Sequence, residues 1–180
     1  MRNFYYIVSS LPALKWGEPP PFSAKIFCEM CSNWISKRQA VSLFAFDIAP
    51  SSIADGRGSS VAGGWKDWDS SFRNSLLRLR AKEKGRNAEK HIVQEKRFYS
   101  ESESLAQNAF AAANPLEKER FIAIARWKKL DELQLGLIFD FEFLVAYKLK
   151  LLLLERWALL NKESGRGQFA EIQRRILYSL

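Results

Sequence analysis

The most constraining feature of this sequence is a long apolar stretch, residues 141–160, that is interrupted by charges. Its charged residues are Glu142, Lys148, Lys150, Glu155 and Arg156. A membrane-spanning helix needs about 20 residues with few or no charges, so a membrane span is not predicted here. A helix that is apolar around most of its circumference is usually buried by other helices. We therefore predict a central helix that starts after Asp140, runs to about Lys162 and closes near Gly165.

Further helices are predicted from apolar spacing and from residues that cap helix ends. Ser23 can cap a helix over about 23–35, and Asn114 followed by Pro115 and Glu117 is the clearest start signal in the chain. Apolar spacing adds helices over about 39–46, 65–84, 88–98, 100–113 and 168–178. The fold class is therefore predicted to be all-α, a multi-helix bundle-like domain over residues 1–180.

Two segments are predicted to be non-helical. Residues 4–8 are aromatic and β-branched and precede a proline-rich stretch, which favours a short extended N-terminal arm. Residues 50–64 are rich in Gly and Ser and predict a flexible loop. Similar helix endings leave open a division into two helical units, 23–98 and 100–180, although two independent glycine caps would give the same pattern.

Most of the positive charge lies in one segment. The chain carries a formal charge of +8, and residues 73–97 hold nine Lys or Arg against three Glu, a net of +6. Such a segment suits an acidic protein face, anionic lipid headgroups or nucleic acid. Nucleic-acid binding by residues 73–97 is the less favoured alternative, because no DNA- or RNA-binding motif accompanies the charge. A solvated helix face is the simplest interpretation of the same pattern. The candidate interaction surface is Trp65, Arg73, Arg78, Arg80, Lys82, Lys84 and Arg86.

Few residues offer catalytic chemistry. The single histidine, His91, lies in the basic segment without a nucleophile motif and is predicted to be a surface residue. Cys28 and Cys31 lack a second Cys or His pair, so they are predicted to be buried or half-buried structural thiols. The glycines within 56–64 lack the preceding strand and the hydroxyl residue of a phosphate loop. The sequence therefore predicts no active site, no metal, no cofactor and no small-molecule substrate.

Several short segments are informative because of their order along the chain. They are residues 4–12, 17–20, 65–68, 73–78, 114–120, 126–127, 130–131, 147–151 and 155–157. Together they resemble an uncharacterised bacterial family whose genes accompany those of bacterial V-type ATPases. The residues that carry the motif most clearly are Asn114, Pro115, Glu117, Trp127, Glu155, Arg156 and Trp157.

The resemblance implies a role like that of the C subunit of V-type ATPases, whose eukaryotic counterpart is the d subunit. The C subunit is an all-helical funnel that seats the central rotor shaft on the membrane proteolipid ring, and the chain would be either a reduced form of it or an accessory. The implied partners are rotor and proteolipid-ring subunits, and the implied function is non-catalytic coupling or assembly. The N-terminal apolar run is too short for a secretory signal and there are two cysteines, which predicts a cytoplasmic protein. The resemblance adds a peripheral position at the inner face of the cytoplasmic membrane.

Overall fold

The computed structural model describes residues 4–48, 58–95 and 99–160, and these residues are built mainly of α-helices. In chain order the helices are α1 (Phe4–Ser10), α2 (Ala24–Ser32), α3 (Lys37–Ala45), α4 (Ser60–Glu83), α5 (Ser100–Phe110), α6 (Pro115–Gln134) and α7 (Phe141–Leu159). A single 3₁₀ turn, Glu89–His91, lies between α4 and α5. No β-strand occurs in the described ranges, and the prediction of an all-α fold is confirmed. Within the same ranges no helix is both long and apolar enough to cross a membrane.

Helix α7 occupies the centre of the described fold. It packs against α2, α3, α4 and α6, and eleven of its nineteen residues are buried. Leu144 and Leu149 have no exposed surface. The helix starts as predicted, because the Oδ1 atom of Asp140 accepts a hydrogen bond from the Phe143 N–H group at 2.8 Å. Its predicted C-terminal extension and the predicted helix over 168–178 lie outside the described residues.

Two acidic residues of α7 stabilise the N-termini of other helices. The Oε2 atom of Glu142 accepts hydrogen bonds from Ser59 Oγ at 2.7 Å and from the Val61 N–H group at 2.9 Å, at the start of α4. The Oε1 atom of Glu155 accepts a hydrogen bond from the Ala24 N–H group at 2.8 Å, at the start of α2. The first N–H groups of a helix have no partner within the helix and carry its positive partial charge. These two carboxylates supply both the acceptor and the opposite charge.

Lys148 of α7 provides the complementary contact at the end of α3. Its Nζ atom donates hydrogen bonds to the carbonyl oxygens of Leu43 at 2.6 Å, Phe44 at 3.0 Å and Phe46 at 2.6 Å. The last carbonyl groups of a helix lack partners within it, and a lysine ammonium has three donors to offer. Burial lowers the pKa of Lys148, which is only 5% exposed. Charged residues of α7 thus bind the ends of α2, α3 and α4.

Two other predicted helix starts are confirmed. The Ser23 hydroxyl accepts a hydrogen bond from the Ile26 N–H group at 3.2 Å, at the start of α2. The Oδ1 atom of Asn114 accepts one from the Glu117 N–H group at 2.9 Å, and Pro115 is the first residue of α6. In both cases the capping side chain lies three residues from the N–H group that it binds, so the signal is contained in the local sequence.

Buried side chains from all seven helices form one hydrophobic core. Helix α4, within the predicted unit 23–98, packs against α5, α6 and α7 of the predicted unit 100–180. Trp65, Trp68 and Phe72 of α4 are almost completely buried at this junction. The division into two units stays a prediction, and the shared core favours joint unfolding of all the described helices.

The predicted extended arm over residues 4–8 is wrong, because these residues belong to α1. Ile7 of α1 is buried, and Phe4, Val8 and Leu11 pack against the core around it. These positions are three or four residues apart, which places them on one face of a helix. The apolar spacing outweighs the preference of aromatic and β-branched residues for extended structure.

The predicted flexible loop over residues 50–64 is wrong from Ser60 onward, where α4 begins. Residues 49–57 lie outside the described ranges. The Ser59 hydroxyl caps α4 by accepting a hydrogen bond from the Ala62 N–H group at 3.1 Å. Together with the contacts from Glu142, this cap outweighs the low helix propensity of two successive glycines.

The predicted helix over residues 88–98 is also wrong for its described part, which holds only the 3₁₀ turn and an extended stretch to Glu95. The Asn74 side chain holds this stretch against α4. Its Nδ2 group donates to the Val93 carbonyl oxygen at 2.8 Å, and its Oδ1 atom accepts from the Val93 N–H group at 3.1 Å. The Asn74 amide thereby pairs with the Val93 backbone as a neighbouring strand would. In a helix these backbone groups would bond within the helix and would not be available to Asn74.

Candidate interaction surface and arginine cleft

The C-terminal end of α4 presents a group of exposed cations. We call this group, together with Arg86 just beyond the helix, the basic end of α4: Arg78, Arg80, Lys82, Lys84 and Arg86. Gly85 ends the helix in the left-handed region, at φ +60°, where glycine is favoured. The Arg86 N–H group donates to the Ala81 carbonyl at 2.8 Å and the Gly85 N–H group to the Lys82 carbonyl at 3.2 Å. These two bonds form a Schellman motif, which fixes the end of the helix that carries the cations.

Two residues of the candidate interaction surface lie elsewhere. Trp65 is fully buried in the core, beside Trp68 with ring centroids 5.9 Å apart, so its assignment to an exposed surface is wrong. Arg73 is half-buried and its Nε atom bonds to Asp69 one turn earlier on α4. Tryptophan has the largest apolar surface of any residue, which favours the burial of Trp65 in the core.

One cation of the basic end has a carboxylate partner. Arg78 Nη1 lies 3.7 Å from Glu95 Oε1, and the Glu95 side chain also accepts hydrogen bonds from Ser71 at 3.1 Å and Asn74 at 2.8 Å. The extended stretch therefore brings one negative charge to the side of α4. The structure gives Lys82 and Lys84 no ion pair among its described residues.

An exposed aromatic patch lies near the start of α4. It consists of Tyr5, Tyr6, Trp34 and Phe139, each at least 44% exposed. The ring centroids of Tyr5 and Phe139 are 4.9 Å apart, and those of Tyr6 and Trp34 are 6.0 Å apart. Phe139 lies three residues before Glu142, which binds the N-terminus of α4. The patch is therefore next to the start of α4, and the basic end begins at Arg78, 18 residues after Ser60, which is about 27 Å along the helix at about 1.5 Å per residue.

A buried ion cluster lies between α4 and α6. Asp69, which is 2% exposed, is bound by Arg73 and by Arg126, whose Nε atom is 2.9 Å from Asp69 Oδ1. Arg126 is only 5% exposed. Burial lowers the pKa of Arg126, Asp69 opposes this shift, and repulsion from Arg73 and Arg156 adds to it. Arg73 and Arg126 share the Asp69 carboxylate, so two guanidinium groups are held within electrostatic reach of one another.

These arginines line a cleft of about 360 Å³, which we call the arginine cleft. Its charged and titratable residues are Arg73, Arg80, Arg126, Arg156, His91 and Glu119. Apolar side chains, among them Leu76, Leu77 and Ile122, form the rest of its wall. Glu119 accepts a hydrogen bond from Arg156 at 3.4 Å. The cleft is therefore strongly cationic and partly apolar.

The residues of the family-like motif have structural contacts. Asn114, Pro115 and Glu117 start α6, and Glu155 binds the start of α2. The rings of Trp127 and Trp157 both contact Trp16, at centroid distances of 5.8 and 5.4 Å. The motif therefore joins the N-terminal connection to the pair α6 and α7. A second cleft, of about 380 Å³, lies beside Trp157 and is lined by residues from 17–19, Leu116 and the end of α7.

The residues with potential catalytic chemistry are dispersed. His91 is exposed at the rim of the arginine cleft, as predicted for a surface histidine. Cys28 and Cys31 are buried free thiols, as predicted, and burial raises the pKa of Cys31 to about 12. Within residues 4–48, 58–95 and 99–160, no three His, Cys, Asp or Glu side chains come together in a way that could hold a metal ion.

The arginine cleft was not predicted from the sequence, although parts of it carried signals. Asp69 and Arg73 are four residues apart, which is the spacing of an ion pair on a helix. Arg126 lies 57 residues from Asp69 in the sequence, so their contact depends on the packing of α4 against α6. An arginine between apolar positions on a predicted helix was the available signal for a buried cation.

Comparison with known proteins gives a family match over part of the chain. A family described as proteins of unknown function, DUF2764, matches residues 103–178, which include most of α5, all of α6 and α7, and residues beyond the described part. Neither the curated proteins nor the solved structures contain a match to the chain.

Proposed function

We propose that this chain is a non-catalytic coupling or assembly subunit of a bacterial V-type ATPase, similar in role to the C subunit. In this proposal the chain bridges the central rotor shaft and the membrane proteolipid ring without spanning the membrane. It lies at the cytoplasmic face of the membrane and needs no cofactor or small-molecule substrate of its own. The sequence resemblance supports the choice of complex, and the geometry of the chain supports the proposed arrangement.

The observation that carries the proposal is the presence of two unlike exposed surfaces at opposite ends of α4. The basic end offers cations, and the aromatic patch offers Tyr, Trp and Phe side chains. Aromatic side chains supply much of the affinity at protein interfaces, whereas exposed charges mainly speed association and set its salt dependence. The core that joins the two ends is packed from all seven helices. A rigid body with a different contact at each end is what a bridging subunit requires.

The two ends suit different partners. Anionic headgroups and acidic loops at the ring surface attract a cluster of lysines and arginines, so we assign the basic end to the ring. A rotor shaft made of protein helices offers apolar side chains, so we assign the aromatic patch to the shaft. The distance of about 27 Å or more along α4 keeps the two contacts independent.

The test is assembly of the full chain with its partners. The chain is tagged in the native cell, and its complexes are isolated and identified by mass spectrometry. The proposal expects rotor and ring subunits of the V-type ATPase among the captured proteins. Association rates of the purified chain with the isolated complex are then measured across salt concentrations.

A charge reversal tests the basic end specifically. Lys82→Glu with Lys84→Glu avoids Arg78, which is paired with Glu95. The matched control, Lys25→Glu with Lys128→Glu, makes the same change in net charge at exposed positions on α2 and α6. The test pair is expected to slow association about tenfold or more at low salt and to weaken its salt dependence, and the control pair to change it less.

Two outcomes would contradict the proposal. If no ATPase subunit is captured, the assignment of the chain to this complex is wrong. Saturable binding of an oligonucleotide with a steep loss at higher salt, abolished by the test pair and retained by the control pair, would favour the nucleic-acid alternative.

A further inference from the structure

The arginine cleft has more positive charge than its own carboxylates can balance. Among the described residues, four arginines, Arg73, Arg80, Arg126 and Arg156, face two acidic groups, Glu119 and the buried Asp69, which leaves two positive charges in excess. Like charges held this close repel one another, and an anion in the cleft would relieve that repulsion. Of the basic end of α4, Arg80 alone also lines this cleft.

The central cation of the cleft is built into the core. Arg126 is 5% exposed and donates from Nε to Asp69 at 2.9 Å, which fixes the orientation of its planar guanidinium group. In the described part of the chain Nε is the only atom of Arg126 that donates a hydrogen bond. The two terminal amino groups therefore have donors to offer, and a guanidinium fork matches two oxygens of one anion.

We infer that the arginine cleft binds a small phosphate monoester, with the phosphate group held by the arginines and its organic part against the apolar wall. A phosphate dianion matches the two excess charges, and arginine is the residue best suited to bidentate recognition of phosphate. The cleft volume of about 360 Å³ lies within the usual range for a small-molecule site. Leu76, Leu77 and Ile122 provide apolar contact for a ligand larger than inorganic phosphate.

Binding of phenyl phosphate to the full chain, measured by isothermal titration calorimetry at constant ionic strength, tests this inference. Phenyl phosphate is expected to saturate one site and to bind more tightly than inorganic phosphate, because only the ester has an apolar part. The protein has a single histidine, at the rim of the cleft, so its imidazole proton signals report occupancy independently. Phenyl phosphate is expected to shift them in the wild-type protein.

The chain offers a closely matched pair of variants. Arg156 lies in the cleft and is paired with Glu119 of α6, whereas Arg120 lies outside the lining and is paired with Glu117 of α6 at 3.9 Å. Both side chains are about half exposed, so neither substitution should unfold the protein. Arg156→Gln is expected to weaken phenyl phosphate binding about tenfold, and Arg120→Gln to leave it within about twofold.

Three results would overturn the inference. The first is the absence of saturable phenyl phosphate binding. The second is an equal loss of affinity in both variants, since that would indicate general attraction to a basic protein. The third is binding of inorganic phosphate as tight as that of phenyl phosphate, since the apolar wall would then make no contribution.

Discussion

At the scale of single residues, buried polar side chains determine how the helices of this chain end and pack. Lys148 is the clearest example, because its one ammonium group serves three carbonyl oxygens at the end of α3. Burying a charge is costly, and it is tolerated where hydrogen bonds replace the lost water. Apart from Lys150, the buried neighbours of this lysine on α7 are mostly apolar, and its three contacts to α3 give it a structural role.

Removal of the Lys148 ammonium group is expected to destabilise the protein. Lys148→Met retains a long unbranched side chain but leaves three carbonyl oxygens without their donor, and we expect the free energy of unfolding to fall by about 3 kcal/mol. Urea unfolding followed by circular dichroism measures the change. Lys128→Met, at an exposed position of α6, is the control and should change the value by less than about 0.5 kcal/mol. Equal stability of the two variants would contradict the role given to Lys148.

Tyr147 is expected to give the protein a specific sensitivity to alkaline pH. Its hydroxyl donates to the Pro12 carbonyl at 2.9 Å, and burial, with a smaller contribution from Cys31, raises its pKa to about 12. In the unfolded chain tyrosine titrates near about pH 10. Between these values the folded state keeps a proton that the unfolded state loses, so stability falls as pH rises from about 10 to 12.

The variant Tyr147→Phe isolates this contribution. At pH 7 the variant lacks the hydrogen bond to Pro12 and should be less stable than the wild type by about 1 kcal/mol. Above about pH 10 the wild type alone loses the contribution of this hydroxyl, so the difference between the two proteins should shrink. Urea unfolding at pH 7, 10 and 11 measures it, and a difference that stays constant with pH would contradict the shifted titration.

At the scale of helices, the N-termini of α2, α3, α4, α6 and α7 bind side-chain acceptors from their own sequence, and those of α2 and α4 also bind acceptors from α7. Glu142→Ala removes the acceptor for Ser59 and Val61 at the start of α4, and we expect a loss of about 2 kcal/mol in the free energy of unfolding. Amide exchange should accelerate most in the first turn of α4. Glu29→Ala, at an exposed position of α2, serves as the control. Exchange that accelerates equally along the whole of α4 would indicate a general loss of packing instead.

The distinction between local caps and acceptors from a distant residue also bears on how much of the fold could be predicted from the sequence. The caps at Ser23, Asn114 and Asp140 lie three residues from the N–H groups that they bind, and all three were predicted. Glu142 lies 83 residues from Ser59, and the start of α4 was placed too late. Ser59 also caps α4 locally, but it lies in a Gly- and Ser-rich segment and precedes two glycines, a composition that favours a loop over a helix start.

In the candidate site, features set by the local sequence could be predicted, and features set by the packing of helices could not. Exposure of the five cations at the end of α4 could be inferred from charge and from Gly85, because both are local features. The arginine cleft could not, since it depends on the packing of α4, α6 and α7. Trp65 was assigned to the surface because it lies near basic residues, whereas its position on the helix directs it to the core.

At the scale of the whole molecule, the shared core predicts a single unfolding transition. Helix α4 packs against α5, α6 and α7, so separation into units 23–98 and 100–180 would expose the large aromatic side chains of α4. Far-ultraviolet circular dichroism and tryptophan fluorescence should therefore give the same urea midpoint. Two separated midpoints would support the alternative in which the two helical units fold independently.

The contacts made by α7 also have a consequence for synthesis of the chain. Helices α2, α3 and α4 are translated before residues 142–155, so each of them leaves the ribosome with one end still lacking its partner from α7. Until α7 follows, their apolar faces and unsatisfied backbone groups are available to chaperones and proteases. Products of interrupted translation that stop before α7 should therefore be degraded. As a consequence, we expect only chains translated through α7 to accumulate.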